Sequence, residues 1–129
     1  MAVRAYGSCL EDLFESAAWA AFGIMVEKIK NRPQSSLTER EIAVTGETAE
    51  DLLKAWLDEL LFFFSTEHLI LARVKAPEAG EGSFRAKVLF ETFDPEFYSV
   101  KGEIKAVTYH ELEIKKVRQQ WQAQIIFDV

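Results

Sequence analysis

Two periods of apolar residues divide this sequence into helical and strand-forming parts. One stripe repeats at steps of three and four residues, and it contains Leu10, Leu13, Phe14, Ala17, Ala18, Ala21 and Met25. A second stripe with the same spacing contains Leu52, Leu53, Trp56, Leu57, Leu60, Leu61 and Phe64. Because these steps bring residues to one face of a helix, the pattern predicts two long amphipathic helices, the first running to about Val26.

The residues before each stripe predict where the helices begin. Ser8 and Glu11 lie in the sequence SCLE, a capping-box pattern in which the two side chains satisfy each other's free backbone N–H groups. Thr48 occupies the capping position of the second helix, and the acidic residues that follow it suit the helix dipole. The polar segment NRPQSS, residues 31–36, is predicted to interrupt the chain after the first helix.

A period of two residues predicts the strands. In chain order these are residues 1–7, 40–46, 69–76, 84–93, 103–117 and 121–129. A loop at residues 77–83 joins the third and fourth strands, and residues 118–120 join the last two, as in antiparallel hairpins. Two amphipathic helices can cover one face of such a sheet. The pattern therefore predicts an α+β fold, a two-layer sandwich of two helices packed on an antiparallel or mixed sheet.

Composition limits the classes of function. A chain of 129 residues, 49% hydrophobic, is expected to form one globular domain. The formal net charge of −6 argues against a free-standing nucleic-acid binder, because phosphate contacts need clustered lysine and arginine. That charge favours a protein partner or a hard cation. The single cysteine, Cys9, indicates a reducing compartment and a packed thiol. No apolar run reaches the roughly 18 residues of a membrane span and no signal peptide is visible, so we expect a cytoplasmic protein.

Enzyme motifs are absent from the sequence. It contains no glycine-rich phosphate loop, no HExxH, no CxxC pair and no nucleophile elbow. Asp94, His110 and a serine can be combined into a hydrolase triad, but many domains of this size offer such a triple. The residues alone therefore give no specific support for an enzyme, and an independent hydrolase stays the enzymatic alternative.

The end of the chain carries the candidate metal ligands. Asp128 follows an apolar strand, and the main-chain oxygens of Val129 come one residue later. Oxygen donors of this kind bind Ca²⁺ or Mg²⁺, but each of these ions needs several further ligands. A solvated terminal aspartate is the alternative. Lys105 and His110 also have simpler explanations, as a guard of an exposed strand edge and a hydrogen-bonded surface residue.

Several strings of residues resemble the archease family over the whole chain. They are VRAYG, EDLFESAA, DLLKAWLDELLFFFSTE, IKAVTYHELEI and the terminal IIFDV, in the family's order. The resemblance implies a non-catalytic accessory protein that activates the RtcB-type tRNA-splicing RNA ligase by promoting its guanylylation and multiple turnover. A chaperone-like modulator of a tRNA-modifying enzyme, such as a tRNA methyltransferase, is the alternative. No direct contact with nucleic acid or membrane is expected.

The resemblance also implies roles for particular residues. Asp128 and Val129 correspond to ligands of a divalent metal, of the calcium type, and Lys105, Thr108 and His110 to a partner-facing surface. Family members usually begin with an edge strand and an HTAD-type motif directly before the segment matching residues 1–7. The aspartate of that motif would fall upstream of Met1. We therefore expect a single archease-like domain over residues 1–129, lacking that strand and aspartate, with an incomplete metal site.

Overall fold

The chain alternates two helices with antiparallel strands. The computed structural model describes residues 1–33 and 36–129. In that part of the chain the elements are β1 (Ala2–Gly7), α1 (Leu10–Met25), β2 (Val26–Lys28), β3 (Thr38–Thr45), α2 (Ala49–Glu67), β4 (Leu69–Gly80), β5 (Ser83–Thr92), β6 (Tyr98–Val100), β7 (Ala106–Val107), β8 (Glu113–Val117) and β9 (Gln120–Asp128). The α+β prediction and both predicted helices are confirmed. Residues 34 and 35 of the predicted break lie outside the described residues.

The strands form three antiparallel sheets. In the first, β9 lies in the centre, with β1 on one side and both β7 and β8 on the other. The second has the order β3-β5-β4, and β2 pairs with β6 in the third. Helix α1 packs on β1, β4 and β9, whereas α2 packs on β3, β4 and β5 of the second sheet and also on β7 of the first. The two helices therefore join the first two sheets through one core.

Helix α1 begins differently from the prediction. Cys9 is the N-cap residue and its side chain makes no capping hydrogen bond, so the predicted Ser8–Glu11 capping box is wrong. The Ser8 hydroxyl instead donates to the Asp12 carboxylate at 2.5 Å. Glu11 accepts a hydrogen bond from the backbone N–H of Ala79 in β4 at 3.4 Å. A contact with a distant strand thus replaces the local cap.

Helix α2 begins as predicted. The Thr48 hydroxyl accepts from the Asp51 N–H at 3.0 Å, and the Asp51 carboxylate accepts from the Thr48 N–H at 3.3 Å. This reciprocal pair satisfies two donors that the first turn of a helix leaves free. The helix ends at His68, whose φ of 56° is left-handed and whose N–H reaches the carbonyls of Phe63 and Phe64. Neither helix of the described chain has the length and apolarity of a membrane span.

The strand boundaries correct three predictions. The run predicted as one strand over residues 103–117 is divided into β7 and β8 by a turn in which Glu111 has a φ of 53°. Most of the predicted loop at residues 77–83 belongs to β4, and the turn is centred on Gly82, with a φ of 68°. The short strands β2 and β6 were not predicted. Both predicted hairpin pairings, β4 with β5 and β8 with β9, are confirmed.

Aromatic residues fill the centre of the core. Trp56 in α2 is fully buried, and its indole N–H donates to the Phe14 carbonyl of α1 at 2.9 Å. The centre of the Phe84 ring in β5 lies 5.0 Å from the centre of the Trp56 ring and 4.5 Å from the centre of the Phe14 ring. These three residues fix the two helices and the second sheet relative to one another.

Tyr98 anchors β6 to β5 through a hydrogen bond. Its hydroxyl donates to the Glu91 carboxylate at 2.5 Å, and the side chain is buried. Burial, followed by the hydrogen bond and the charge of Glu91, raises the pKa of Tyr98 to about 12. In an unfolded chain this pKa is close to 10. The native state therefore holds this proton more tightly than the unfolded state over the intervening pH range.

This difference predicts an alkaline loss of stability. The contribution of Tyr98 to the free energy of unfolding is complete below about pH 10. It should fall by about 2 kcal/mol between pH 10 and pH 12, because the tyrosine of the unfolded state loses its proton first. Urea denaturation followed by circular dichroism at several pH values measures the fall. Tyr98→Phe should remove it, whereas Tyr6→Phe, which alters an exposed tyrosine of β1, should not. An identical fall in Tyr98→Phe would exclude Tyr98 as its source.

Candidate functional site

The first and last strands meet at one corner of the first sheet. The Phe127 N–H donates to the Met1 carbonyl at 2.8 Å, and the Met1 nitrogen donates to the Phe127 carbonyl at 2.9 Å. On the other side of β9, the Lys105 N–H donates to the Asp128 carbonyl at 2.7 Å. Asp128 therefore lies between Lys105 and the residues that open the chain. We call this group, Met1, Lys105 and Asp128, the corner.

The side chains of the corner are accessible. Asp128 and Lys105 are exposed, and neither makes an ion pair with another described residue. Alternation along β9 puts Asp128 on the same face as Gln124 and Ile126, away from the buried Phe127. The corner therefore presents one free carboxylate and one free ammonium group to any molecule that docks there.

Thr108 and His110 lie further along the same segment. The Thr108 N–H and hydroxyl donate to the Ile126 carbonyl at 3.1 and 3.3 Å, so this residue helps hold the segment against β9. His110 lies in the turn before β8, with 76% of its side chain exposed and its Nε2 3.9 Å from the Glu111 carboxylate. The structure thus joins Lys105 to Asp128 directly, whereas His110 belongs to the turn.

The turn packs against α2. The Lys54 ammonium lies 5.2 Å from the Tyr109 ring centre, and Lys54 also pairs with Asp58 at 2.7 Å. The Glu50 carboxylate accepts from the Ile114 N–H at 3.1 Å, where β8 begins. Desolvation, together with the neighbouring carboxylate of Asp51, raises the pKa of the Tyr109 hydroxyl. The acidic residues of α2 therefore hold the turn in place.

The residues of the corner do not form a complete metal site. Asp128 and Val129 offer oxygen donors from adjacent positions, whereas Ca²⁺ takes about six to eight oxygen ligands. Within residues 1–33 and 36–129, no group of three or more histidine, cysteine, aspartate or glutamate side chains is arranged to hold a metal ion. A calcium site built from the described residues alone does not fit this geometry.

An apolar groove adjoins the corner. It has a volume of about 560 Å³, and its apolar lining consists of Met25, Leu61, Phe64, Phe93, Val100 and Ile104. Ile104 directly precedes Lys105, so the groove and the corner share one segment. Val100 is 59% exposed and lies at the accessible side of the groove. This groove was not predicted, although three consecutive phenylalanines of α2 make its apolar stripe wider than one packing face needs.

The fold and the corner define a class of protein: a small α+β domain of antiparallel sheets whose candidate site is an exposed rim rather than a closed catalytic cleft. The sequence model of the Archease protein family (MTH1598/TM1083) matches residues 1–129. The chain therefore belongs to the archease family.

Individual relatives agree with this assignment. Protein archease of Methanosarcina mazei is 37% identical over 129 residues, 97% of this chain and 86% of the relative. Protein archease of Pyrococcus furiosus is 37% identical over 131 residues, 98% of this chain and 90% of that protein. The solution structure of Methanobacterium thermoautotrophicum protein 1598 has a TM-score of 0.71 and 31% identity, covering 99% of this chain and 91% of that one.

A crystal structure from Thermotoga maritima shows the same fold. It is described as an archease and possible chaperone, and it has a TM-score of 0.68 at 18% identity. The superposition covers 100% of this chain and 90% of that structure.

Proposed function

We propose that this protein is an accessory protein that activates an RtcB-type tRNA-splicing RNA ligase, promoting its guanylylation and multiple turnover. The observation that carries the proposal is the corner, where the backbones of Lys105 and Asp128 are hydrogen-bonded and both charged side chains are exposed, in a member of the archease family. Its exposure suits a role on a partner's active site. A cytoplasmic location and a protein partner, rather than RNA or a membrane, are parts of the same proposal.

Lys105 is the residue that we assign to the nucleotide. Guanylylation transfers a nucleotidyl group from a triphosphate, and such transfers depend on positioning and on stabilising phosphate charge. The Lys105 backbone is fixed by its hydrogen bond to Asp128, so its ammonium group extends from a defined point. Placed at the edge of the ligase cleft, it would offset negative charge on the triphosphate.

Asp128 is the residue that we assign to a cation. Its carboxylate, with the main-chain oxygens of Val129, can contribute to the coordination of a divalent ion of the calcium type. The remaining ligands would come from outside the described residues, because the corner alone does not complete the site. Thr108 and His110 complete the proposed partner-facing surface, Thr108 by holding the segment and His110 by its exposed ring.

The groove supplies docking surface beside the corner. Interface cores are apolar and exclude charged side chains, whereas the rim around them is polar. Most of the groove lining is apolar, His68 and Glu103 are its polar members, and the exposed Lys105 directly follows the lining residue Ile104. We therefore assign the groove to an apolar segment of the ligase, which would bring the corner to its active site.

The test is stimulation of a purified RtcB-type ligase. Addition of this protein should raise the guanylylation rate with labelled GTP and the number of turnovers on RNA with cyclic-phosphate and 5′-hydroxyl ends. Val100→Lys should raise the concentration needed for half-maximal stimulation by about tenfold, because it puts a charge into an interface core. Ile29→Lys is the matched control, since Ile29 is 58% exposed and lies outside the groove; it should change that concentration by less than about twofold.

Two results would contradict the proposal. The first is an unchanged guanylylation rate at saturating protein. The second is equal stimulation by Val100→Lys and the wild type, which would remove the groove from the interaction. The description of the Thermotoga maritima structure as a possible chaperone motivates a parallel assay with a tRNA methyltransferase. Stabilisation or stimulation of the methyltransferase without any effect on the ligase would favour the chaperone-like alternative.

A further inference from the structure

A second cleft lies apart from the corner, beneath the C-terminal half of α1. It has a volume of about 320 Å³, and its walls come from α1, β2, β4, β5 and β6. Three of the lining residues are aromatic, Trp19 and Phe22 from α1 and Tyr98 from β6, and they lie beside aliphatic residues and the charged Lys28 and Glu91. Trp19 is 43% exposed, and its indole N–H donates to Glu15 at 3.3 Å, which fixes the ring edge at the rim.

One carboxylate of this cleft has no cationic partner. Glu91 is half-buried and accepts the Tyr98 hydroxyl at one oxygen. Among the described residues it makes no ion pair, and Lys28 on the cleft wall makes none either. The Arg32 guanidinium is near enough for its charge to act on Tyr98, but it donates to the Thr92 carbonyl at 2.7 Å. The Tyr98 hydroxyl occupies one Glu91 oxygen as a donor and leaves the other oxygen for a ligand. A carboxylate with a free oxygen in a largely apolar cleft can accept charge-assisted hydrogen bonds from a cation.

Two backbone features keep the cleft open. Gly23 lies within α1 and lines the cleft, and a Cβ atom built on it meets nothing within 4 Å. Glycine inside a helix lowers helix stability, and here no close packing requires it. Ala72 also lines the cleft, at the irregularity between Leu71 and Arg73 where β4 departs from regular pairing with β5. Such bulges commonly reshape a strand beside a binding site.

We propose that this cleft binds an organic cation, a guanidinium or ammonium group, with Glu91 as its counter-ion and Trp19 and Tyr98 as its aromatic walls. Cations bind favourably over aromatic faces within about 6 Å of the ring centre. A carboxylate at the same site adds charge-assisted hydrogen bonds. The cation can belong to an arginine or lysine side chain of a partner protein or to a free polyamine. The site is independent of the ligase proposal, because it uses none of the corner or groove side chains.

Titrations monitored by ¹H–¹⁵N NMR test the site directly. The probes are N-acetyl-arginine amide, which models a protein side chain, and spermidine, a free polyamine. N-acetyl-citrulline amide is the neutral isostere of the arginine probe. We expect saturable shifts at the Trp19 indole N–H and the Gly23 amide, with a dissociation constant of about 1 to 10 mM for the better cation and at least roughly fivefold weaker binding of citrulline. The probe that binds more tightly indicates whether the natural ligand is a protein side chain or a free polyamine.

Two kinds of variant test the carboxylate of Glu91 and the open space beside Gly23 separately. Glu91→Gln should weaken binding by at least roughly fivefold. Glu96→Gln removes the same charge from an exposed position nearby and should leave the affinity unchanged. Gly23→Leu keeps Glu91 but projects a side chain into the cleft; it should raise the melting temperature and abolish binding.

Four results would overturn the proposal. They are the absence of saturable shifts at Trp19 and Gly23 with either cation, equal affinities of Glu91→Gln and the wild type, equal binding of citrulline and arginine, and unchanged affinity in a folded Gly23→Leu variant. Each variant is accepted for comparison only when its amide spectrum shows the native fold.

Discussion

Replacing Asp128 with asparagine is expected to reduce stimulation of the ligase by about ten- to a hundredfold while leaving the fold intact. The substitution preserves the size of the side chain and the backbone hydrogen bond from Lys105. It removes only the negative charge, and charged hydrogen-bond or ligand contacts are worth about 1.5 to 3 kcal/mol, which corresponds to that range. The measurement is the guanylylation rate of the ligase at saturating accessory protein.

The control for this substitution is Glu81→Gln. Glu81 is an exposed carboxylate in the turn between β4 and β5, so its loss changes net charge equally without touching the corner. Lys105→Ala in the same assay tests the ammonium group that we assign to the triphosphate. If Asp128→Asn and Glu81→Gln stimulated the ligase equally, Asp128 would have no part in the mechanism and the corner would be only a structural seam.

Replacing Trp56 with alanine should have the largest effect on stability, a loss of about 3 to 5 kcal/mol. The side chain is fully buried and contacts both α1 and β5, so its removal leaves a cavity that these elements cannot close without separating. The Phe14 carbonyl would also lose its indole donor. A domain of this size is stabilised by only about 5 to 15 kcal/mol, so the variant is expected to be close to unfolding.

Two other tryptophan variants make this prediction specific. Trp56→Phe keeps most of the ring volume and loses the hydrogen bond. It should therefore lower the free energy of unfolding by clearly less than Trp56→Ala does. Trp19→Ala removes a tryptophan of which 43% is exposed and should cost about 1 kcal/mol or less. Urea denaturation measures all three variants. A loss below about 1 kcal/mol in Trp56→Ala would show that this part of the core repacks freely.

The helices and most strands could be predicted because their signals are local. The stripes of α1 and α2 follow a period of 3.6 residues, and the buried alternation of β9 follows a period of two. The division of residues 103–117 into β7 and β8 could not be predicted in this way. It depends on a left-handed residue, Glu111, and on contacts of Tyr109 with Lys54. Those contacts belong to the tertiary structure, which overrides the strand pattern.

The candidate site likewise has residues that could be predicted from the sequence and surfaces that could not. Asp128 and Lys105 were singled out because an acidic and a basic residue interrupt apolar strand sequences. Their proximity follows from the pairing of β7 with β9, which brings Ala106, the neighbour of Lys105, opposite Asp128. The groove and the cation cleft each combine side chains from helices and strands far apart in sequence. No short stretch of the sequence contains all the lining residues of either one, so neither could be predicted before the fold was known.

The seam between β1 and β9 has a consequence for biosynthesis. Its two strands are joined by hydrogen bonds between residues 126 positions apart. A nascent chain emerges from the ribosome with its amino end first, so β1 can pack on α1 but has no hydrogen-bonded strand until β9 is translated. Contacts of such long sequence separation also slow folding. Ribosome-bound chains that stop before β9 should therefore remain sensitive to protease, and the domain acquires resistance only after translation of its last strand.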